Sequence, residues 1–350
     1  MILGQGENLK IRALIIGLIS CALLGSQVGA TFAADSDLDN SPSRAVSAPV
    51  KVKVPIRTID TPGTNGQSGI VEIRVGNSAP FAVMLDTGSV GLRVFPGAWG
   101  TKPTSVKLSS TNITTIGAGQ SFKGAIGRAP MTFSGVSTTI AVPFQYVNTS
   151  NPYIGLWTAR NVYGILGIGM GKGDLTNPLV ALPGSLGLRW SVHFERKIGG
   201  VGRLGSLVLG AEAPARTEMD FGLPFVGKNV NGALLWDDHS AQGCWRIGKA
   251  PEWCGDTWFD SGFTKMRVKG LIFKRLPQSA NGLLKAGTRV EFAAAGSAFV
   301  AHRFVSGNEA SRNYVRVIPA GVGTINTGNS FYFDYTVTYN VAIGHIYFSN

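Results

Sequence analysis

Two stretches of the chain are built alike, and together they constrain its fold more than any other feature. The first is Met84-Leu85-Asp86-Thr87-Gly88-Ser89-Val90-Gly91-Leu92-Arg93-Val94, and the second is Trp258-Phe259-Asp260-Ser261-Gly262-Phe263-Thr264-Lys265-Met266-Arg267-Val268. In each, two apolar residues lead into an Asp, a small hydroxyl residue and a Gly, and an apolar-Arg-Val triplet follows in the same frame. Asp-x-Gly favours turns, so either stretch alone reads as a turn and nothing more. Their duplication predicts two related halves that bring their carboxylates together across a pseudo-twofold axis. Such a pair can hold one proton between two acids, which is chemistry suited to splitting an amide with water.

Composition and patterning agree with a β-rich chain. Gly makes up 47 of the 350 residues, above the usual ~7%, and charged residues make up 15% against a usual ~25%. From Val54 onward, β-branched runs broken by Gly and Pro recur at residues 70–75, 81–85, 131–133 and 139–142, and again at 270–273, 288–292, 314–318, 332–339 and 343–348. The best helical segment, residues 177–186, contains Pro178 and Pro183 and predicts no more than a turn or two. The organisation expected is a leader at 1–30, a Ser/Ala/Pro/Asp-rich linker at 31–52, a first β-lobe at 53–212 and a second at 213–350.

The N-terminus places Lys10 and Arg12 before an apolar run at residues 13–24. That run falls short of the roughly 20 apolar residues a spanning helix needs. It suits a signal-peptide core cleaved after Ala30 or Ala33, so the mature chain is expected to be periplasmic or secreted. Leu18-Ile19-Ser20-Cys21 also resembles a lipoprotein box, which would leave Cys21 lipidated. Export leaves Cys244 and Cys254, which in an oxidising compartment most simply form one disulfide worth roughly 2–3 kcal/mol, the alternative being two buried thiols. His193, His239, His302 and His345 are scattered without Cys partners, so no metal or cofactor is expected.

Other function classes are poorly served. The formal charge of +12 comes without a Lys/Arg run or an aromatic-basic module, which argues against nucleic acid and leaves an anionic cell-envelope polymer, or solubility, as its use. Gly167-Ile168-Gly169-Met170-Gly171-Lys172-Gly173 is no phosphate loop, because Gly173 stands where a metal-binding Ser or Thr is needed. Gly-x-Ser-x-Gly is absent from the sequence.

Taken in order, the motifs resemble the pepsin-like aspartic peptidase family, with the chain as a divergent bacterial member. Asp86-Thr87-Gly88-Ser89 is similar to the first catalytic motif of that family and Asp260-Ser261-Gly262 to the second. Gly124-Ala125-Ile126-Gly127 resembles the strand after the flap, residues 164–169 the apolar-apolar-Gly element behind the first Asp loop, and residues 206–210 the segment closing the first lobe. Cys244 and Cys254 fall where the family often has a small disulfide loop, and residues 328–344 resemble its last strands. The resemblance implies an all-β, bilobal fold with a cleft between pseudo-twofold-related lobes. It implies a catalytic pair, Asp86 and Asp260, supported by Thr87, Gly88, Ser89, Ser261 and Gly262. It further implies a monomeric endopeptidase that acts on polypeptides without a cofactor.

The chain departs from the family at several points. Phe263 stands where the second motif usually continues with Thr or Ser, and the second supporting element reads Asn326-Thr327-Gly328. The usual flap Tyr and its partner Trp are replaced by Ile116 or Gly117 and by Arg93. Phe263 has no donor to offer Asp260, which predicts a raised pKa there and activity reaching weakly acidic or neutral pH. The same departures support an alternative, a catalytically inactive pepsin-like protein that binds a protein or a cell-envelope glycan.

Overall fold

The structure, a computed structural model, describes residues 51–117, 120–149, 151–198, 201–297, 300–308 and 312–350. The leader expected at 1–30 and nearly all of the linker expected at 31–52 lie outside the described residues, and the first strand opens at Val52. The described residues form one 15-stranded sheet, one seven-stranded sheet and two two-stranded pairs. None of their helices is long and apolar enough to cross a membrane.

Each Asp turn is held by the same three-strand device. Phe81–Asp86 is buried at every position, as a central strand covered on both faces must be. It ends on Asp86, and the chain returns as Val90–Val94. Val162–Ile168 inserts between these two strands, parallel to the first and antiparallel to the second. In the seven-stranded sheet, Thr324–Asn326 inserts in the same way between Trp253–Trp258 and Met266–Lys269. The registers coincide residue by residue. Ile165 lies opposite Met84 and Arg93, and Asn326 lies opposite Trp258 and Arg267.

The second turn rests on an aromatic core. Phe259, immediately before Asp260, packs its ring against Phe221, Phe331 and Phe348 with centroids 4.6–5.3 Å apart. Residues from both ends of the sequence share the larger sheet. Thr336–Asn340 pairs with Arg189–His193, and His345–Ser349 joins it to Met219–Gly222.

Several elements differ from the sequence expectation. Residues 270–273 turn as the 3-10 segment Leu271–Arg275, because Gly270 takes φ 142° and ends the extended run, leaving Leu271 and Ile272 exposed. Residues 332–339 divide into a short helix, Ser330–Asp334, and the strand Thr336–Asn340, the helix burying Phe331 and Tyr332. The strand expected at 139–142 begins only at Val142 and runs to Val147. The short helix Pro152–Thr158 has Pro at its start and Asn151 as cap, the Asn side chain accepting from Ile154 N–H at 2.8 Å. Pro178–Ala181 and Gly184–Gly187 are the single turns that the prolines predict.

Candidate active site

The two Asp turns interlock through a reciprocal set of hydrogen bonds. Thr87 Oγ1 accepts from Ser261 N–H at 2.9 Å and donates to the Phe259 carbonyl at 3.0 Å. In mirror image, Ser261 Oγ accepts from Thr87 N–H at 2.9 Å and donates to the Leu85 carbonyl at 3.1 Å. All four bonds are buried and reach the residues immediately before and after each Asp, so the loops cannot shift independently. Gly88 and Gly262 permit the close approach. A Cβ on Gly88 would lie 2.3 Å from Asp260 Cγ, and one on Gly262 would lie 2.3 Å from Asp86 Oδ1.

Asp86 and Asp260, each 7% exposed, line one cleft together. Asp86 Oδ1 accepts from Gly88 N–H at 2.8 Å and Oδ2 from Ser89 Oγ at 2.6 Å. Asp260 Oδ1 accepts the matching bond from Gly262 N–H at 3.0 Å. Phe263 indeed provides no donor, yet Asp260 does not lack one: Asn326 Nδ2 donates to Asp260 Oδ2 at 2.7 Å. The amide is oriented by its other end, where Asn326 Oδ1 accepts from Gly328 N–H at 2.8 Å. The expectation that Phe263 costs Asp260 a hydrogen bond is therefore corrected. Asn326 takes the register position of apolar Ile165, and from there it restores the donor that the second motif lost.

Burial, followed by the neighbouring charge of Asp86, pushes the Asp260 carboxyl well above the usual carboxylate range. The bonds from Asn326 and Gly262 act in the opposite sense without reversing it. Two coupled acids in this setting favour a state with one proton between them. The pair opens on a cleft of about 690 Å³, also lined by Ser89, Arg93, Trp258, Phe263, Arg267 and Asn326. Gly169, Gly171, Lys172 and Gly173 line it too, which gives the glycine-rich run a place at the cleft wall.

Lys107–Gly117 and Gln120–Ala129 form an antiparallel hairpin, with Gly117 opposite Gln120 and the tip outside the described residues. Arg93 is bound to this hairpin. Its Nε donates to Thr115 Oγ1 at 2.9 Å, and the Thr115 hydroxyl donates to Gln145 Oε1 at 2.9 Å. Tyr153 packs edge-on against Phe122 of the hairpin, and burial together with the charges of Asp86 and Asp260 raises its pKa. Sequence reasoning also missed Tyr332, whose hydroxyl is 2.6 Å from Thr87 Oγ1 and joins that of Tyr339. Tyr332 falls in a segment that reads as a strand, so nothing local marks it as a neighbour of the first Asp turn.

Cys244 and Cys254 stand opposite each other on adjacent antiparallel strands and are disulfide-bonded. Among the described residues, the one grouping of metal-ligating types, Cys244, Glu252 and Cys254, has both sulfurs consumed in that bond. His193 is bonded to the Tyr335 carbonyl, His345 to Asp220, and His302 lies against Asp334. His239 stacks on Trp258 with ring centroids 3.8 Å apart and shares the cleft.

No protein-family model and no curated protein sequence matches the chain. Among solved structures, it is similar to the crystal structure of the aspartic proteinase from Irpex lacteus, with a TM-score of 0.59 and 15% identity over 86% of this chain and 97% of that one. The chain has the bilobal all-β fold of a pepsin-like aspartic proteinase.

Proposed function

We propose that the chain is an exported aspartic-type endopeptidase that hydrolyses peptide bonds through a water activated by Asp86 and Asp260. The observation that carries this reading is the complete support of both carboxylates, each with a backbone N–H on one oxygen and a side-chain donor on the other. An inactive cleft has no need to replace a lost donor from a strand remote in sequence. The leader-like N-terminus and the disulfide support export.

In this reading a water sits between the carboxyls, and the scissile carbonyl enters from the cleft. Charged Asp86 takes a proton from the water as its oxygen attacks the carbonyl carbon. Protonated Asp260 donates a hydrogen bond to the carbonyl oxygen, where negative charge develops. The tetrahedral species then collapses, the C–N bond breaks, and the proton held by Asp86 passes to the leaving nitrogen. That transfer leaves Asp86 charged and Asp260 still holding its proton, so the one-proton state is regenerated. The raised Asp260 pKa keeps that state populated above the usual carboxylate range, so the alkaline limb of activity lies towards neutral pH.

The test is cleavage of an unfolded protein by the purified chain from pH 3 to pH 8, beside an Asp260→Ala variant. Cleavage that persists into the weakly acidic range and is lost in the variant is the expected result. Cleavage that survives in the variant, or none at any pH, would refute the proposal.

A further inference from the structure

Seven residues beyond each aspartate stands an arginine, Arg93 in the first turn unit and Arg267 in the second. Both line the cleft with Asp86 and Asp260. Arg93 is 5% exposed, and although its Nε is bonded to Thr115, its Nη1 has no partner. The Arg267 guanidinium lies 4.4 Å over the ring of Phe263, and its Nε has no partner. Trp258 Nε1, on another residue of the same cleft, is also without a partner. Of the six buried side-chain polar atoms without a hydrogen-bond partner among the described residues, these three are on cleft-lining residues, and all three are donors. Buried donors left without acceptors are costly unless something brings an acceptor to them.

The charges around the two guanidiniums are unequal. Arg93 is acted on by Asp86 and Asp174, whereas the carboxylate acting on Arg267 is Asp260, with Arg316 opposing it. When the shared proton rests on Asp260, Arg267 loses that counter-charge. The remaining acids of the cleft are committed elsewhere. Asp238 Oδ2 accepts from Met170 N–H at 2.6 Å, and Asp237 accepts from Ser240 Oγ at 2.6 Å and from His239 N–H at 3.3 Å. Phe263, which interrupts the second Asp motif, has its ring face covered by Arg267 and so helps to hold the guanidinium in place.

We infer that the cleft selects peptides carrying an acidic side chain beside the scissile bond, its carboxylate received by the Arg267 guanidinium, with Arg93 offering a second acidic subsite on the Asp86 side. A planar guanidinium suits a carboxylate in a way that the apolar walls of a general-purpose cleft do not. This inference rests on the proposed peptidase reading of the same cleft.

Two readouts separate the inference from that reading. Peptides differing only in Glu or Gln at positions flanking the cleavage site are compared near pH 6, where Glu is charged. The first readout is kcat/KM for the wild-type chain, and the second is direct binding to an Asp86→Asn variant by fluorescence anisotropy. The expected result is a preference for Glu of about tenfold or more in both, the size of one charge-assisted hydrogen bond. Arg267→Met should reduce it to within about twofold, and Arg267→Lys should retain part of it. Equal binding of Glu and Gln peptides overturns the inference even if both are cleaved, as does a preference unchanged in both Arg93→Met and Arg267→Met. Arg267-dependent binding of Glu peptides without cleavage would uphold the inference while refuting the peptidase reading.

Discussion

Replacing Asn326 by Leu isolates the repair that the second Asp loop depends on. The Asn326 amide stabilises the charged form of Asp260 through a 2.7 Å hydrogen bond. Removing it favours the protonated form, so the Asp260 pKa, already raised by burial, rises further. A hydrogen bond to a charged group contributes about 1.5–3 kcal/mol. At about 1.4 kcal/mol per pKa unit, the shift is about one to two units. The alkaline limb of kcat/KM should move up by about that amount. Gly328 N–H loses its acceptor as well, at a cost of about 1–3 kcal/mol in a denaturant titration. Adding Phe263→Ser to Asn326→Leu places a hydroxyl where Ser89 stands in the first motif, and the limb should move back. A folded Asn326→Leu variant whose limb coincides with wild type, or a double variant no closer to wild type than the single, would refute this account of Asp260.

Three other outcomes follow from the geometry. Ser261→Ala removes the acceptor of Thr87 N–H and the donor to the Leu85 carbonyl, and should destabilise the fold by about 3 kcal/mol in equilibrium unfolding; a loss below about 0.5 kcal/mol would mean the loops do not depend on this interlock. Gly88→Ala should abolish cleavage, since its Cβ would fall 2.3 Å from Asp260 Cγ, whereas Gly135→Ala, with open space around its Cβ position, should leave cleavage intact despite the strain of φ 88°. Asp238, buried and pushed up to about 6 mainly by that burial, supports the fold fully only below its ordinary 3.8, so about 3 kcal/mol of stability should be lost as pH rises from 3.8 to about 6. Thermal unfolding of wild type and Asp238→Asn across that range checks this contribution, and identical pH slopes would contradict it.

Much of the site was legible because its signals are local. Asp86-Thr87-Gly88 and Asp260-Ser261-Gly262 announce two tight turns, and their shared frame already implies the pseudo-twofold relation that the strand registers show. Asn326 was not legible in the same way. Its amide reaches Asp260 across 66 residues of sequence, and only the register of Thr324–Asn326 against Trp253–Trp258 places it there. A signal did exist, since one departure removes a donor at Phe263 and the other adds one at Asn326; read separately, both suggested decay. Tyr332 was hidden because an aromatic run reads as a strand, while Gly328, at φ 61°, redirects the chain just before a helix. The exposed apolar residues of Leu271–Arg275 misled for the reverse reason, β-branched and apolar side chains following a glycine whose backbone ends the strand.

The central claim is that Asp86 and Asp260 act as one catalytic unit that shares a proton. It is tested most directly by kcat/KM for one peptide with wild type, Asp86→Asn, Asp260→Asn and the double variant. Residues acting as a unit are non-additive, so either single replacement should abolish turnover about as fully as both together. Substantial cleavage by either single variant, or losses that add in the double variant, would contradict it.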